Sequence, residues 1–194
     1  MKRALDVVLA ALLLILLLPL LGAIALAIKL ESRGPVLFVQ RRRGLHAVPI
    51  SVWKFRTMVA DAERRRDELL ATSEDPHWLK LSRDPRVTRV GRFLRLTSLD
   101  EIPQLVMCLR GEMSLVGPRP LSESEYRYVP DWARVREEVL PGLTGAWQVR
   151  GRTRLSFTEM LELDCAYVRD WSLGLDLSLL ARTVPAVLFR RGAN

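Results

Sequence analysis

The 194-residue chain carries 30 Lys and Arg against 22 Asp and Glu, a formal net charge of +8, with 49% of its residues hydrophobic and 27% charged. That length fits one domain with a sizeable core, and the apolar fraction excludes a wholly disordered chain. Two cysteines without ligand-like spacing, Cys108 and Cys165, exclude a disulfide scaffold or a cysteine zinc site and fit a reducing compartment. A mean hydropathy of +0.09 is high for so charged a chain, so apolar and charged residues are segregated along it.

The apolar residues gather at the start. Val7 to Ile28 is a run of 22 residues without a charge, with Lys2, Arg3 and Asp6 before it and Lys29 after. As a helix it would be about 33 Å long, enough for a hydrocarbon core of about 30 Å. A cleaved signal peptide would use Ala25-Leu26-Ala27, but the run is long for one and a very basic segment follows. A spanning helix should show positive charge on one side. Here Lys2 and Arg3 stand before the run and Lys29, Arg33 and Arg41-Arg42-Arg43 after it, the larger cluster assigning the bulk of the chain to the cytoplasm. Pro19 divides the run into 12 and nine residues. Each half would cover about 18 Å and about 13 Å, roughly half a bilayer, as in a re-entrant helix with both ends on one side. A mild proline kink in a spanning helix explains Pro19 equally well. The residues leave both open.

Val36–Gln40 and Ile50–Phe55 are β-prone runs around a turn over Arg41–Pro49 and predict a hairpin. Asp61–Ala71 reads as a charged helix with a solvated face, and Thr72–Pro85 as a polar loop with Asp-Pro twice. Helices are expected over Val90–Leu96, Asp100–Leu109 and Tyr126–Val139. Ser156-x-x-Glu159 is a capping box opening a helix to about Trp171. Leu175–Arg190 is amphipathic and suits either a membrane surface or the core.

Three stretches combine charge with backbone punctuation. In the first, Arg95 precedes Ser98-Leu-Asp100-Glu101-Ile-Pro103-Gln-Leu105. Ser98 and Glu101 could form a capping box, but Pro103 would then fall where an N–H is needed. With Asp100 as the cap, Pro103 takes the third helical position, which needs none. The plain structural reading is a capping Asp beside an exposed Glu. The functional reading is that the helix end and Arg95 hold Asp100 ionised and attract a phosphate, both of which a carboxylate nucleophile needs at phosphorus. The second stretch, Val116-Gly117-Pro118-Arg119-Pro120, stiffens the backbone around one arginine and suits bidentate contact with a phosphate. The third, Pro141-Gly142-Leu-Thr144-Gly145-Ala-Trp147-Gln148-Val-Arg150-Gly151-Arg152, has glycines that permit close approach to a ligand and donors in Gln148, Arg150 and Arg152. Trp53-Lys54-Phe55-Arg56 alternates aromatic and basic residues, so Lys54 and Arg56 would share a strand face. No P-loop, G-x-S-x-G elbow or histidine metal set is present.

Together these stretches resemble the bacterial sugar transferases, the monotopic phosphoglycosyl transferases typified by undecaprenyl-phosphate galactose or glucose phosphotransferases. The resemblance covers essentially the whole chain. It is carried by Lys2-Arg3-x-x-Asp6, Trp53-Lys-Phe-Arg-Thr-Met58, Ser98-Leu-Asp-Glu-Ile-Pro-Gln-Leu105, Gly111-Glu-Met-Ser-Leu-Val-Gly-Pro-Arg-Pro120 and Pro141-Gly-Leu-Thr-Gly145. It implies transfer of a sugar 1-phosphate from a UDP-sugar to polyprenyl phosphate with Mg²⁺, as the first membrane step of a surface glycan. By that resemblance Asp100 attacks the β-phosphorus and releases UMP, and Glu101 assists by metal binding or by handling the acceptor's proton. Asp100 and Glu101 would hold the metal, and Arg56, Arg95 and Arg119 would contact phosphates. The implied fold is α+β and mostly helical. Residues 1–30 form a re-entrant membrane helix broken at Pro19, with both ends on the cytoplasmic face of the bacterial inner membrane. Residues 31–194 form a cytoplasmic transferase domain with a β-hairpin and amphipathic interfacial helices. Members often carry Ser-Pro at the break, where this chain has Leu18-Pro19. The extra N-terminal membrane helices of larger members are not expected. A homodimer is compatible with this reading and a nucleic-acid partner is not. The competing class is a basic, membrane-anchored protein that binds nucleic acid or anionic lipid without catalysis, because +8 attracts any polyanion.

Overall fold

The computed structural model describes residues 1–59, 61, 62, 64, 84–151 and 155–188. Helix α1 runs from Lys2 to Glu31 and is long and apolar enough to cross a membrane. Helical conformation continues through Pro19, so the break expected there is not seen. Pro19 removes one hydrogen bond, to the Ile15 carbonyl, while leucine-rich turns on either side favour the helix. Ile15, Leu16 and Leu18 in the middle are 73%, 74% and 66% exposed.

Both ends of α1, by contrast, are tied to the rest of the chain. Asp6 is buried and accepts from the Leu115 N–H at 3.0 Å and the Ser114 hydroxyl at 2.8 Å. Lys2 donates to Asp176 at 2.7 Å and to the Val116 carbonyl at 3.0 Å, and Arg3 to the Cys108 and Leu109 carbonyls. At the other end Ile24 and Ile28 pack with Phe55 and Leu94. Glu31 then accepts the Arg89 N–H at 2.7 Å, capping the next helix from outside.

The hairpin forms as expected. Strands β1 (Leu37–Arg43) and β2 (Pro49–Phe55) pair antiparallel from Leu37↔Phe55 to Arg43↔Pro49. β1 runs three residues beyond the expected Gln40, because Arg42 turns inward and finds hydrogen-bond partners there. The helix expected over Asp61–Ala71 and the loop expected over Thr72–Pro85 lie almost wholly outside the described residues.

Helix α2 spans Arg89–Thr97, with Thr88 Oγ1 accepting from the Gly91 N–H at 2.9 Å. A Cβ on Gly91 would sit 2.0 Å from the Thr57 carbonyl oxygen. Gly91→Ala must therefore push α2 off the Thr57 backbone that follows β2 and should lower stability by about 1–3 kcal/mol, read by thermal unfolding. An unchanged melting temperature would mean that α2 packs elsewhere.

The expected single helix from Asp100 is corrected. Ser98, at φ 56°, starts a 3-10 helix over Leu99–Gln104, and α3 follows over Leu105–Arg110. Asp100 is thus the second helical residue rather than the cap, and Pro103 lies inside the 3-10 helix. The tighter helix absorbs a residue that has no N–H to offer. Neither capping arrangement forms, because the Glu101 carboxylate is drawn to Lys54. The helix expected over Tyr126–Val139 is likewise divided into α4 (Glu123–Tyr126) and a 3-10 helix over Asp131–Glu137, since Pro130 cannot continue a helix. The Ser156–Glu159 capping box does form and opens α6 (Phe157–Arg169), which ends two residues before Trp171. α7 (Leu173–Leu188) buries Asp176, Leu179 and Ala186, while Leu177 and Val184 remain exposed, so it both packs on the core and presents an apolar face.

One pairing has no local signature. β3 (Ser114–Val116) and β4 (Gly142–Thr144) are parallel, with Ser114 opposite Gly142 and Val116 opposite Thr144. A Cβ on Gly142 would lie 2.1 Å from the Gly117 nitrogen, and one on Gly145 2.3 Å from the Gly117 oxygen. These glycines serve the approach of two chain segments, not the approach to a ligand expected of them. Leu105, Met107, Cys108, Met113, Leu115 and Val116 form the main core under this pair.

Candidate active site

Asp100 and Glu101 stand where the 3-10 helix meets β2. Asp100 is buried. Lys54, on β2, donates to Glu101 Oε1 at 2.6 Å. Burial and the adjacent Glu101 carboxylate push Asp100 up to about 6, against the pull of Lys54 and Arg95. Burial acts to raise Glu101 too, but the charge and hydrogen bond of Lys54, with Arg119 and Arg42 beyond, outweigh it and hold Glu101 far below its usual value. Arg95 does favour the ionised form, as expected, but burial and Glu101 outweigh it, so Asp100 is anionic at neutral pH with less margin than an ordinary carboxylate. Desolvation and a like charge win, and the two carboxylates are driven apart in acidity, the pattern that separates roles in a catalytic pair.

Four cations surround the pair. Arg95 bears on Asp100 and donates from Nε to Thr57 Oγ1 at 2.9 Å. Arg119 lies beside Glu101, 3.7 Å from Glu125 and over the Trp147 ring at 5.0 Å. Arg42 is buried and brought down to about 10, by desolvation first and then by Arg119. Lys54 completes the set. Against them stand Asp100, Glu101 and Glu125, so an added anion meets a positive balance.

The other expected site residues divide. Arg56 is engaged by the chain itself through both terminal nitrogens, while its Nε has no protein partner. It donates to the Arg33 carbonyl at 2.9 Å and to the Ser32 carbonyl and hydroxyl at 2.8 and 2.9 Å, closing the end of α1. Its buried guanidinium satisfies carbonyls that a helix end leaves without donors. Gln148, on α5 (Ala146–Arg150), donates to the Leu143 carbonyl at 3.4 Å, and its buried Oε1 has no protein partner. Arg150 lines a separate cavity with Trp132, Leu155, Glu159, Leu163 and Arg169, and the dyad is not part of that lining. Arg152 lies outside the described residues. In the sequence Lys54 stands out only for its strand face, and Arg42 only within a basic cluster; neither is assigned to the site there. Strand alternation offered a signal for Lys54, whereas Arg42 sat in what read as a turn.

Among the described residues no three His, Cys, Asp or Glu side chains gather as a metal cage. Two neighbouring carboxylates nevertheless suit Mg²⁺, which binds through one or two carboxylates and completes its shell with water and substrate phosphates. Asp100 and Glu101 would hold such an ion, which would neutralise charge on a bound diphosphate.

Residues 1–190 match the family described as bacterial sugar transferase. The chain belongs to that family. It is similar to the UDP-glucose:undecaprenyl-phosphate glucose-1-phosphate transferase of Escherichia coli K12, 42% identical over 95% of this chain and 39% of that protein. It is 40% identical to the exopolysaccharide production protein ExoY of Rhizobium meliloti, over 99% of this chain and 87% of that one. With the UDP-glucose:undecaprenyl-phosphate glucose-1-phosphate transferase of Caulobacter vibrioides the identity is 47%, over 96% and 69%. As a bacterial sugar transferase the chain thus spans between about two fifths and nearly nine tenths of these relatives. Membership sets aside the reading of a basic interaction protein without catalysis.

Proposed function

We infer that this sugar transferase moves a sugar 1-phosphate from a UDP-sugar to polyprenyl phosphate at a membrane surface. The observation that carries the reading is the Asp100–Glu101 pair, with Asp100 buried and Glu101 partly exposed, set among Lys54, Arg42, Arg95 and Arg119. A carboxylate oxygen of Asp100 attacks the β-phosphorus, and the bond from that phosphorus to the bridging oxygen breaks. UMP leaves with the electron pair, and an aspartyl phosphosugar remains. An oxygen of the polyprenyl phosphate then attacks the same phosphorus and returns the carboxylate, forming the lipid-linked diphosphate sugar. Lys54, Arg95 and Arg119 bind and neutralise the phosphates as charge shifts to the leaving UMP. Relatives named for undecaprenyl phosphate support the acceptor class. Purified protein assayed against a panel of UDP-sugars with polyprenyl phosphate should release UMP with at least one donor. Silence with the whole panel would overturn the reading.

The same reading makes α1 re-entrant and the domain cytoplasmic. Lys2, Arg3 and Asp6 bind one side of the domain, while Ile24, Ile28 and Glu31 bind another part of it. Ends fastened to one domain belong on one side of a bilayer, with the exposed apolar middle inserted. Ala4→Cys and Arg33→Cys are exposed reporters, and the native Cys108 and Cys165 are buried. Both reporters should label only from the cytoplasmic side. Periplasmic labelling at position 4 would make the helix spanning. Pro19→Ala, which restores a hydrogen bond, should shift label toward that topology.

A further inference from the structure

The loop that carries Arg119 makes no strand or helix of its own, yet its carbonyls are held one by one from outside. The Gly142 N–H donates to the Pro118 carbonyl at 2.8 Å. Arg136 Nη2 donates to the Arg119 carbonyl, Arg42 Nη1 to the Pro120 carbonyl at 2.6 Å, and the Arg43 N–H to the Leu121 carbonyl at 2.8 Å. Pro118 and Pro120 have no N–H, so the segment cannot close on itself as a helix or ladder would. Two of the four donors are buried guanidinium groups rather than backbone amides. Arg136, on the 3-10 helix over Asp131–Glu137, is itself locked by Asp164 of α6 at 2.6 Å, with side-chain exposures of 4% and 1%. The Arg136–Asp164 pair thereby grips Arg119 at its backbone carbonyl. Arg42 grips the next residue and is anchored in turn by Gln40 Oε1 at 2.8 Å.

A fully buried ion pair is seldom retained for stability alone, because apolar residues of similar volume often serve as well. Here both guanidinium groups meet the loop whose one charged side chain stands 3.7 Å from Glu125 and over the Trp147 ring, and draws Glu101 toward its ionised form. We propose that Arg42 and the Arg136–Asp164 pair are positioning residues, which hold the Arg119 loop so that its guanidinium meets the donor's diphosphate already ordered. The proposal rests on Arg119 contacting phosphate in the transfer reaction. Preorganisation of this kind lowers the cost of binding and keeps a bidentate group within the tolerance that phosphoryl chemistry needs.

The test compares wild type, Arg42→Lys, the double variant Arg136→Met with Asp164→Leu, Arg119→Ala, and each clamp change combined with Arg119→Ala. The double variant replaces the ion pair by apolar volume and avoids a lone buried charge. Arg42→Lys keeps the charge but loses the fork, which provides a second, milder probe. Two quantities are read on folded protein: kcat/KM for UMP release, and thermal stabilisation by inorganic pyrophosphate, which depends on no choice of sugar. Each clamp change should lower kcat/KM about 10–100-fold and weaken pyrophosphate stabilisation. Neither should cost anything further once Arg119 is alanine, the non-additivity expected of groups acting through one another. Equal losses in both backgrounds would make the clamps merely structural and overturn the proposal, as would native values in the folded clamp variants. Native values in Arg119→Ala would overturn it together with the phosphate contact, while UMP release by wild type would leave transfer itself standing. Should no UDP-sugar yield UMP, the pyrophosphate series alone decides the clamp role.

Discussion

Asp100→Asn should lose turnover by about a thousandfold or more, with its melting temperature unchanged or raised. The amide keeps the size of the carboxylate but is a poor nucleophile. The stability half follows from the sign of the shift. Asp100 titrates near 6 in the folded chain, above its ordinary value of 3.8, so the folded state binds the proton more tightly. Stability is then lost as pH rises from about 4 through 6, and at pH 7 the ionised, buried Asp100 is a burden that asparagine removes. The melting-temperature advantage of the variant should shrink as the pH falls below that window. Turnover of wild type should rise with pH through about 6, where Asp100 becomes anionic.

Covalent attack adds a stoichiometric signature. UDP-sugar with Mg²⁺ and no acceptor should release at most about one UMP per active enzyme and leave a phosphosugar on the Asp100 peptide, with ping-pong kinetics. Direct attack by polyprenyl phosphate needs both substrates together and gives no burst. A ternary pattern without an adduct would reject Asp100 as nucleophile even if Asp100→Asn were inactive.

Asp176→Ala should be the most destabilising single change outside the site, by about 3–5 kcal/mol. Asp176 is 1% exposed and receives Lys2 at 2.7 Å, the Tyr167 hydroxyl at 2.7 Å and the Trp171 indole N–H at 3.2 Å. Its loss takes the acceptor from the Trp171 indole N–H, leaves Lys2 and the Tyr167 hydroxyl to share the Val116 carbonyl, and removes the Lys2 counter-charge against the core. It also releases the first turn of α1 from α7, so the effect should extend to membrane insertion. Thermal unfolding in a lipid nanodisc measures the first effect, and labelling of Ala4→Cys in the same background measures the second. A melting temperature within a degree of wild type would mean that Lys2 finds another acceptor and that the staple is dispensable.

Lys2 and Asp176 also illustrate where reading the chain stops. The apolar run, the hairpin and the Ser156–Glu159 capping box were all legible, because each depends on residues a few positions apart. Periodicity, turn residues and caps are local physics. The Asp100–Glu101 pair and the Gly-Pro-Arg-Pro stretch were legible as charge set beside backbone punctuation. What each arginine does was not. Arg56 reads as a phosphate contact and closes a helix end, while Arg42 reads as part of a turn and holds the Arg119 loop. A guanidinium goes where unpaired carbonyls and carboxylates converge, and those are left by prolines and helix ends up to 106 residues away. The acidity of Asp100 likewise depends on burial and Glu101 acting against Lys54, which arrives from β2, and Arg95, a balance that only the assembled structure sets. Local pattern sufficed for the first helix, the hairpin, the Ser156 capping box and the candidate Asp100–Glu101 pair. The tertiary structure decided which charges face that pair, because burial and electrostatic partnership are properties of distant segments brought together.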